Sequence, residues 1–248
     1  MKILRLLDIL IAGTALLLAG PLLVASMFLI WCRDRHSPFY VSDRVGQDGR
    51  LFRMIKLRSM EVGADRTGVD STSRDDERIT PVGRLLRRLK LDELPQLWNV
   101  LKGEMSLVGP RPNVKRETDL YSPEERRLLT LAPGITDLAS IVFSDEGDVL
   151  SGSADPDLAY NQLIRPWKSR LGLLYIDHCG LELYCKILFN TAIGIMSRRH
   201  ALAGVNGILR KFRADPVLIE VAHRRRPLDA APPPGMSNVV TSRQPRRR

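Results

Sequence analysis

The sequence predicts an α+β protein, mostly helical, with one small β-hairpin and an apolar N-terminal segment that engages a membrane. Three observations carry this. Residues 9–31, ILIAGTALLLAGPLLVASMFLIW, hold no charge, and at about 1.5 Å rise per residue the run is long enough to cover a bilayer core. Asp48-Gly49 is a strong hairpin-turn signal set between two stretches of apolar-polar alternation. From Ile79 onward, helix-like stretches separated by Gly/Pro punctuation dominate.

The elements follow in chain order. Gly20-Pro21 lies in the middle of the apolar run, where proline removes a helix hydrogen bond, so a bend is expected there. Lys2 and Arg5 precede the run and Arg33 and Arg35 follow it. Because basic flanks mark the cytoplasmic side, charges at both ends fit a hairpin-like re-entrant helix; a kinked spanning helix is the alternative. No small-x-small cleavage site follows the run, so it reads as retained. Residues 37–60 read as a hairpin whose second strand carries Lys56 and Arg58 on one face, since residues two apart point the same way. Residues 61–77 are polar and rich in Gly and Ser, a loop. A helix with a basic face is expected over Ile79–Lys90, and another from near Asp92 through Leu101, stopping at Gly103. Arg111 sits between two prolines in GEMSLVGPRPN, a rigid setting suited to bidentate phosphate contact. Pro133-Gly134 marks a further turn. Residues 158–199 hold more helices, among them LELYCKILFNTAIGIM, which packs in the core or lies at a membrane interface. From about residue 214 the chain turns Pro-, Ala- and Arg-rich and reads as a partly disordered basic tail.

Composition narrows the chemistry. A chain of 248 residues that is 44% hydrophobic can bury a substantial core, which excludes a disordered protein. A net charge of +10 implies an anionic partner without saying whether it is nucleic acid, acidic lipid or a phosphorylated small molecule. Three cysteines without a CxxC pair argue against a disulfide framework and for a reducing cytoplasmic setting. Four scattered histidines without HExxH exclude the usual zinc patterns and leave a hard cation on oxygen ligands as the expected metal.

The concentration of charge singles out one stretch. Between Arg50 and Arg116 there are fifteen Lys/Arg against nine Asp/Glu, and two of those acids, Asp92 and Glu93, are adjacent within RRLKLDELPQLWNV. At a helix entry two neighbouring carboxylates can reach one small site, and amides of a first helical turn attract anions. Spacing alone leaves two readings open: a helix cap in a solvated charge mixture, or a reactive carboxylate in a phosphate-binding site.

FRMIKLRSM, RITPVGRLLRRLKLDELPQLWNVLKGEMSLVGPRP and LAPGIT, in that order after a short membrane segment, resemble the bacterial sugar transferases, the monotopic phosphoglycosyl transferases that act on polyprenyl phosphates. The resemblance spans roughly residues 1–200. It implies transfer of a sugar 1-phosphate from a UDP-sugar to a polyprenyl phosphate, usually undecaprenyl phosphate, with release of UMP, at the start of bacterial glycoconjugate or exopolysaccharide synthesis. By the same resemblance Asp92 is the nucleophile, Glu93 is associated with Mg²⁺ beside Asp92, and Arg87 and Arg111, with Lys56 and Arg58, contact phosphate. It also implies a re-entrant, monotopic anchor broken at Gly20-Pro21, interfacial helices, and a catalytic domain on the cytoplasmic face of the bacterial inner membrane. The stretch PGITDLASIVFSDEGD departs from the family pattern, which puts nucleotide or sugar contacts from that loop in doubt.

The expected organisation is an anchor over 1–36, a catalytic domain over 37–200 and a basic extension over 201–248. The expected partners are a UDP-sugar, a polyprenyl phosphate, membrane lipid and a second copy of the chain, with no nucleic acid. A nucleic-acid-binding protein is the rival from another class, but aromatics are only 6% of the chain and no stacking platform or reading helix accompanies the charge. An inactive lipid-binding scaffold is the third reading.

Overall fold

The computed structural model describes residues 2–69 and 71–242, and 57% of the chain is helical. The chain divides into two compact units, one built from residues 1–67, 76–119 and 129–135, the other from 68–75, 120–128 and 136–248.

The first unit begins with α1, Lys2–Asp34, which runs through Pro21 without interruption in secondary structure. The break expected at Gly20-Pro21 is therefore absent from the hydrogen-bonding pattern: proline removes one N–H, and the flanking turns hold the helix on either side. Only a narrow face of α1 is buried. Ala12 and Ile30 are covered, whereas Leu17 and Leu18 are 79% and 76% exposed. Toward its N-terminus, Arg5 donates to the carbonyls of Val100 and Leu101 at 2.6 and 2.9 Å, and Asp8 accepts from the Leu107 amide at 2.8 Å and the Ser106 hydroxyl at 3.0 Å. Val100 and Leu101 lie in the last turn of α3, Gln96–Lys102, whose carbonyls have no partner within the helix, so Arg5 supplies one. Toward its C-terminus, Ile30 packs with Leu57 and Leu86, joined by Leu23, Met27, Val82 and Leu91.

β1, Phe39–Val45, and β2, Leu51–Leu57, form the antiparallel hairpin, with Val41 opposite Ile55 and Tyr40 opposite Lys56. The reversal uses Asp48 and Gly49 at positive φ, as the Asp-Gly signal predicts. α2, Pro81–Arg88, is shorter than the expected Ile79–Lys90: Thr80 caps it by accepting from the Gly83 amide, Pro81 takes the first position, and Lys90 turns into the left-handed region at φ 57°. Gly83 is required by close approach, since a Cβ there would lie 1.9 Å from the Ser59 carbonyl oxygen. The expected helix start near Asp92 is also revised. Residues Leu91–Glu93 form a 3-10 turn, α3 begins at Gln96 after Pro95, and Gly103 ends it at φ 85°. β3, Ser106–Val108, then pairs with β4, Gly134–Thr136, with the short helix α4, Lys115–Thr118, between them in sequence.

The second unit is helical. α5, α6 and α7 are single-turn helices over Leu138–Val142, Glu146–Val149 and Pro156–Ala159, followed by a π-helical turn at Tyr160–Ile164. α8, Arg165–Asp177, α9, Leu181–Met196, and α10, Arg198–Lys211, bury Leu171, Tyr175, Tyr184, Ile187, Val205 and Leu209. α9 divides the two roles the sequence leaves open, burying Leu183, Tyr184 and Ile187 while exposing Leu181, Phe189, Ile195 and Met196.

α11, Pro216–His223, occupies the start of the stretch that reads as a tail, with Asp215 accepting from the Val217 amide and Pro216 at the first position. The coil after it is tied down: the Ala231 amide donates to the Gln162 carbonyl at 3.1 Å, Gln162 Nε2 to the Val240 carbonyl at 2.7 Å, and Ser122 Oγ to the Pro234 carbonyl at 2.5 Å. Residues 243–248, where the expected tail ends in PRRR, lie outside the described residues.

Candidate active site

Three local features of the first unit bring charge together. β2 presents Lys56 near its end, the 3-10 turn Leu91–Glu93 presents both acids, and the Gly/Pro-punctuated segment after β3 presents Arg111. Glu93 Oε1 accepts from Lys56 Nζ at 3.2 Å and from the Arg111 guanidinium. Burial alone would raise the Glu93 pKa, but the charges of Arg111 and Lys56 and the hydrogen bond from Arg111 outweigh it and hold the carboxyl far below the usual range. Lys56 shifts downward because burial disfavours its ammonium, with Glu93 opposing and Arg111 adding to the shift.

Asp92, one residue earlier, is in a different state. It is 8% exposed, its Oδ1 is fully buried, and that oxygen has no hydrogen-bond partner. Burial raises its pKa, Lys56 opposes, Glu93 adds to the rise, and Arg87 and Lys90 oppose. The capping reading of Asp92 is thereby excluded, because a capping carboxylate accepts an amide of the next turn and this one accepts none. An ordinary buried carboxylate oxygen finds a partner; one left without is costly and marks a position kept for something else.

The remaining expected site residues separate into two groups. Arg87, half-buried at the end of α2, acts electrostatically on Asp92 and is held in no ion pair among the described residues. Arg58 does not join the cluster. Its guanidinium is committed to Asp34 at 2.5 and 2.7 Å and to the Ser37 carbonyl at 2.8 Å, fastening the end of α1 to the strand. The strand ends at Leu57, so the alternation that would keep Arg58 beside Lys56 stops one residue short.

Sequence reasoning missed Asn99, which is fully buried and bonds β2, and Asp8, a buried acid near the start of the apolar helix. An acid at the edge of so apolar a run was the available signal for Asp8. No group of three or more His, Cys, Asp or Glu converges among the described residues.

The first unit thus holds a buried carboxylate oxygen without a hydrogen-bond partner next in sequence to a carboxylate pinned by a lysine and an arginine. The chain belongs to the bacterial sugar transferase family, whose model matches residues 1–198. It is 41% identical over 149 residues to the exopolysaccharide production protein ExoY of Sinorhizobium fredii (strain NBRC 101917 / NGR234), an alignment covering 54% of this chain and 66% of that one. It is 33% identical over 210 residues to the UDP-galactose-lipid carrier transferase of Erwinia amylovora, covering 79% of this chain and 40% of the relative. With the UDP-glucose:undecaprenyl-phosphate glucose-1-phosphate transferase of Caulobacter vibrioides (strain ATCC 19089 / CIP 103742 / CB 15) it shares 40% over 140 residues, 55% of this chain and 52% of the other. The matched stretches thus span from 40% to 66% of these relatives' lengths.

Proposed function

We propose that the chain is a phosphoglycosyl transferase that moves a sugar 1-phosphate from a UDP-sugar to a polyprenyl phosphate in two displacements at Asp92. The observation that carries this reading is the buried, unpartnered Asp92 Oδ1 beside a Glu93 held by Lys56 and Arg111. In the first step an oxygen of Asp92 bonds to the sugar-linked phosphorus, and the bond from that phosphorus to the bridging oxygen breaks, its electron pair leaving with UMP. In the second, an oxygen of the polyprenyl phosphate bonds to the same phosphorus and the Asp92 carboxylate is released unchanged, leaving a polyprenyl diphosphate sugar. An acyl phosphate is reactive enough for the second step to proceed. The first step requires a carboxylate to approach an anion, and Lys56, Arg87 and Arg111 offset that repulsion. The names of the relatives from Erwinia amylovora and Caulobacter vibrioides, a UDP-galactose-lipid carrier transferase and a UDP-glucose:undecaprenyl-phosphate transferase, support the donor and acceptor classes.

Adjacent carboxylates supply the hard oxygen donors Mg²⁺ accepts, and the ion is bound through one or two carboxylates together with substrate phosphates, so Asp92 and Glu93 fit it. When bound it neutralises charge on phosphoryl oxygens. Radiolabelled sugar donor mixed with the protein, quenched before acceptor is added, should leave sugar phosphate bonded to the polypeptide at Asp92; absence of any covalent label refutes the two-displacement scheme.

The anchor reading is part of this proposal. α1 has 33 residues, about 50 Å of helix at 1.5 Å per residue, against a hydrocarbon core of about 30 Å. Yet Arg5 and Asp8 at one end, and Ile30 and Asp34 at the other, all contact the same unit. A helix crossing the bilayer would place those contacts on opposite sides, so a re-entrant helix whose exposed middle enters one leaflet accounts for them better. The catalytic unit then lies on the cytoplasmic face. After replacement of the exposed Cys32, Cys179 and Cys185, a cysteine at Lys2 should resist impermeant maleimide from the periplasmic side. Labelling from that side would refute the topology.

A further inference from the structure

β2 has two edges, and among the described residues only one is paired with a strand. In an antiparallel pair, alternate residues direct their N–H and C=O toward the partner and the rest direct them outward. The Val45 amide donates away from the hairpin to the Asn113 carbonyl, and Val45, Asp43 and Val41 lie opposite Leu51, Arg53 and Ile55. Arg53 and Ile55 therefore point their backbone groups out of the open edge of β2. What meets them there is one side chain. Asn99 Oδ1 accepts from the Ile55 amide at 3.1 Å, and Asn99 Nδ2 donates to the Arg53 carbonyl at 2.8 Å. The second N–H of the same nitrogen goes to Glu104 Oε2 at 2.7 Å, which fixes which end of the amide faces which backbone group. Asn99 is fully buried.

We propose that Asn99 is a positioning residue for the transfer reaction, its carboxamide acting as a one-residue third strand that locks the register of Lys56 against the turn carrying Asp92 and Glu93. The inference rests on the transferase reading for what the alignment serves. A carboxamide presents a donor and an acceptor on one planar centre, as a peptide group does, and so can complete a strand edge from a helix. The lock acts next to the site at both ends. Lys56 immediately follows Ile55, and Asn99 stands on α3 six residues beyond Glu93. A strand that slips by one residue moves every side chain to its other face, which would take Lys56 Nζ away from Glu93. The hairpin partner β1 cannot prevent this alone, since β1 and β2 would slip together relative to α3.

The test uses the full chain in lipid nanodiscs. A zero-length carbodiimide should join Lys56 to Glu93 as an amide, read by mass spectrometry of linked peptides, with the exposed Lys115–Asp119 pair at 2.6 Å as internal control. Asn99→Leu keeps the branched shape and the number of side-chain heavy atoms and removes both hydrogen-bonding functions. The expected result is a severalfold loss of the Lys56–Glu93 link with the control link unchanged. UMP release should fall about 10²-fold in kcat/KM, the cost of a misplacement near 1 Å. Adding Asn99→Leu to Lys56→Met should cost nothing beyond Lys56→Met alone, whereas a residue that merely stabilises the fold would multiply the losses. A folded Asn99→Leu protein with wild-type linkage, or with multiplicative losses, overturns the proposal. If Asn99→Leu loses the control link, Asn99→Asp decides by the same readouts, because it keeps the acceptor for Ile55 and loses both donors; failure of both to fold makes the residue structural and overturns the proposal. A wild-type protein that never releases UMP, while the linkage responds as expected, refutes the transferase reading and leaves the lock standing.

Discussion

Two buried carboxylates, one in each unit, are handled in opposite ways. Glu125 in the second unit is 0% exposed and fully engaged: the Ser122 amide and Ser169 hydroxyl donate to it, and Arg165, itself 4% exposed on the side chain, donates through both Nε and Nη2. Asp92 in the first unit is 8% exposed and its buried Oδ1 has nothing. The fold can satisfy an interior acid where the acid is structural. That it leaves Asp92 unsatisfied, next in sequence to a strongly paired Glu93, is the contrast the two-displacement proposal uses: a carboxylate without hydrogen-bond donors would keep its lone pairs for phosphorus.

The sharpest way to break this comparison is to neutralise each acid. Asp92→Asn should lower UMP release on the order of 10⁴-fold, as loss of a covalent nucleophile does. It should not lower the melting temperature. A folded pKa raised by burial contributes stability below the unfolded value and loses it as pH rises through the folded one, so at neutral pH the ionised Asp92 opposes folding. Glu125→Gln should do the reverse. It leaves Arg165 buried without its counter-ion and should cost about 3–5 kcal/mol, measured by thermal unfolding in detergent, while any folded fraction keeps its turnover. If Asp92→Asn unfolds the protein and Glu125→Gln does not, the contrast between the two acids is wrong.

A smaller effect separates two of the three arginines expected to bind phosphate. Arg111→Ala removes a cation from Glu93 and from the ligand, and should raise KM for the sugar donor more than it lowers stability. Arg58→Ala removes the bidentate bond to Asp34 and should cost about 2 kcal/mol of stability, the scale of hydrogen bonds to charged groups, with KM nearly unchanged. Parallel melts and donor titrations on the two variants check this; a raised KM in Arg58→Ala with no loss of stability would return Arg58 to the site.

What was legible in the sequence was mostly local. The Asp48-Gly49 turn, the alternation on either side of it and the Gly103 helix stop are set by residues within a few positions, and they stand in the structure where the pattern puts them. Asp215-Pro216 was an equally local helix-start signal, overlooked because composition favoured a tail. What was illegible depends on distant partners. Whether Asp92 caps a helix or stands unpaired depends on Lys56 and on burial by a strand more than thirty residues earlier. Arg58 leaves the site because the carboxylate that claims it, Asp34, is 24 positions away at the end of α1. β3 pairs with β4 across a segment that no turn signal spans.

The finest test lies in the pH dependence of the reaction. On the proposed scheme Asp92 attacks as the carboxylate, so kcat/KM should fall as pH drops through its folded pKa, and because that pKa is raised the acid limb should lie above the ordinary aspartate value of about 3.9. Lys56 is the largest influence opposing the rise. Lys56→Met should therefore move the limb further up, in the same direction as burial, while Glu93 stays ionised because Arg111 still holds it down. Arg87→Met should move the limb the same way by less, since its influence on Asp92 ranks below those of Lys56 and Glu93. Stability answers with the opposite sign at Glu93. Its depressed pKa contributes stability above its unfolded value of about 4.3, a contribution lost as pH falls, and Lys56→Met should shrink it. A rate profile whose acid limb moves down in Lys56→Met would mean that the lysine favours the protonated acid, and Asp92 would then not be the attacking group.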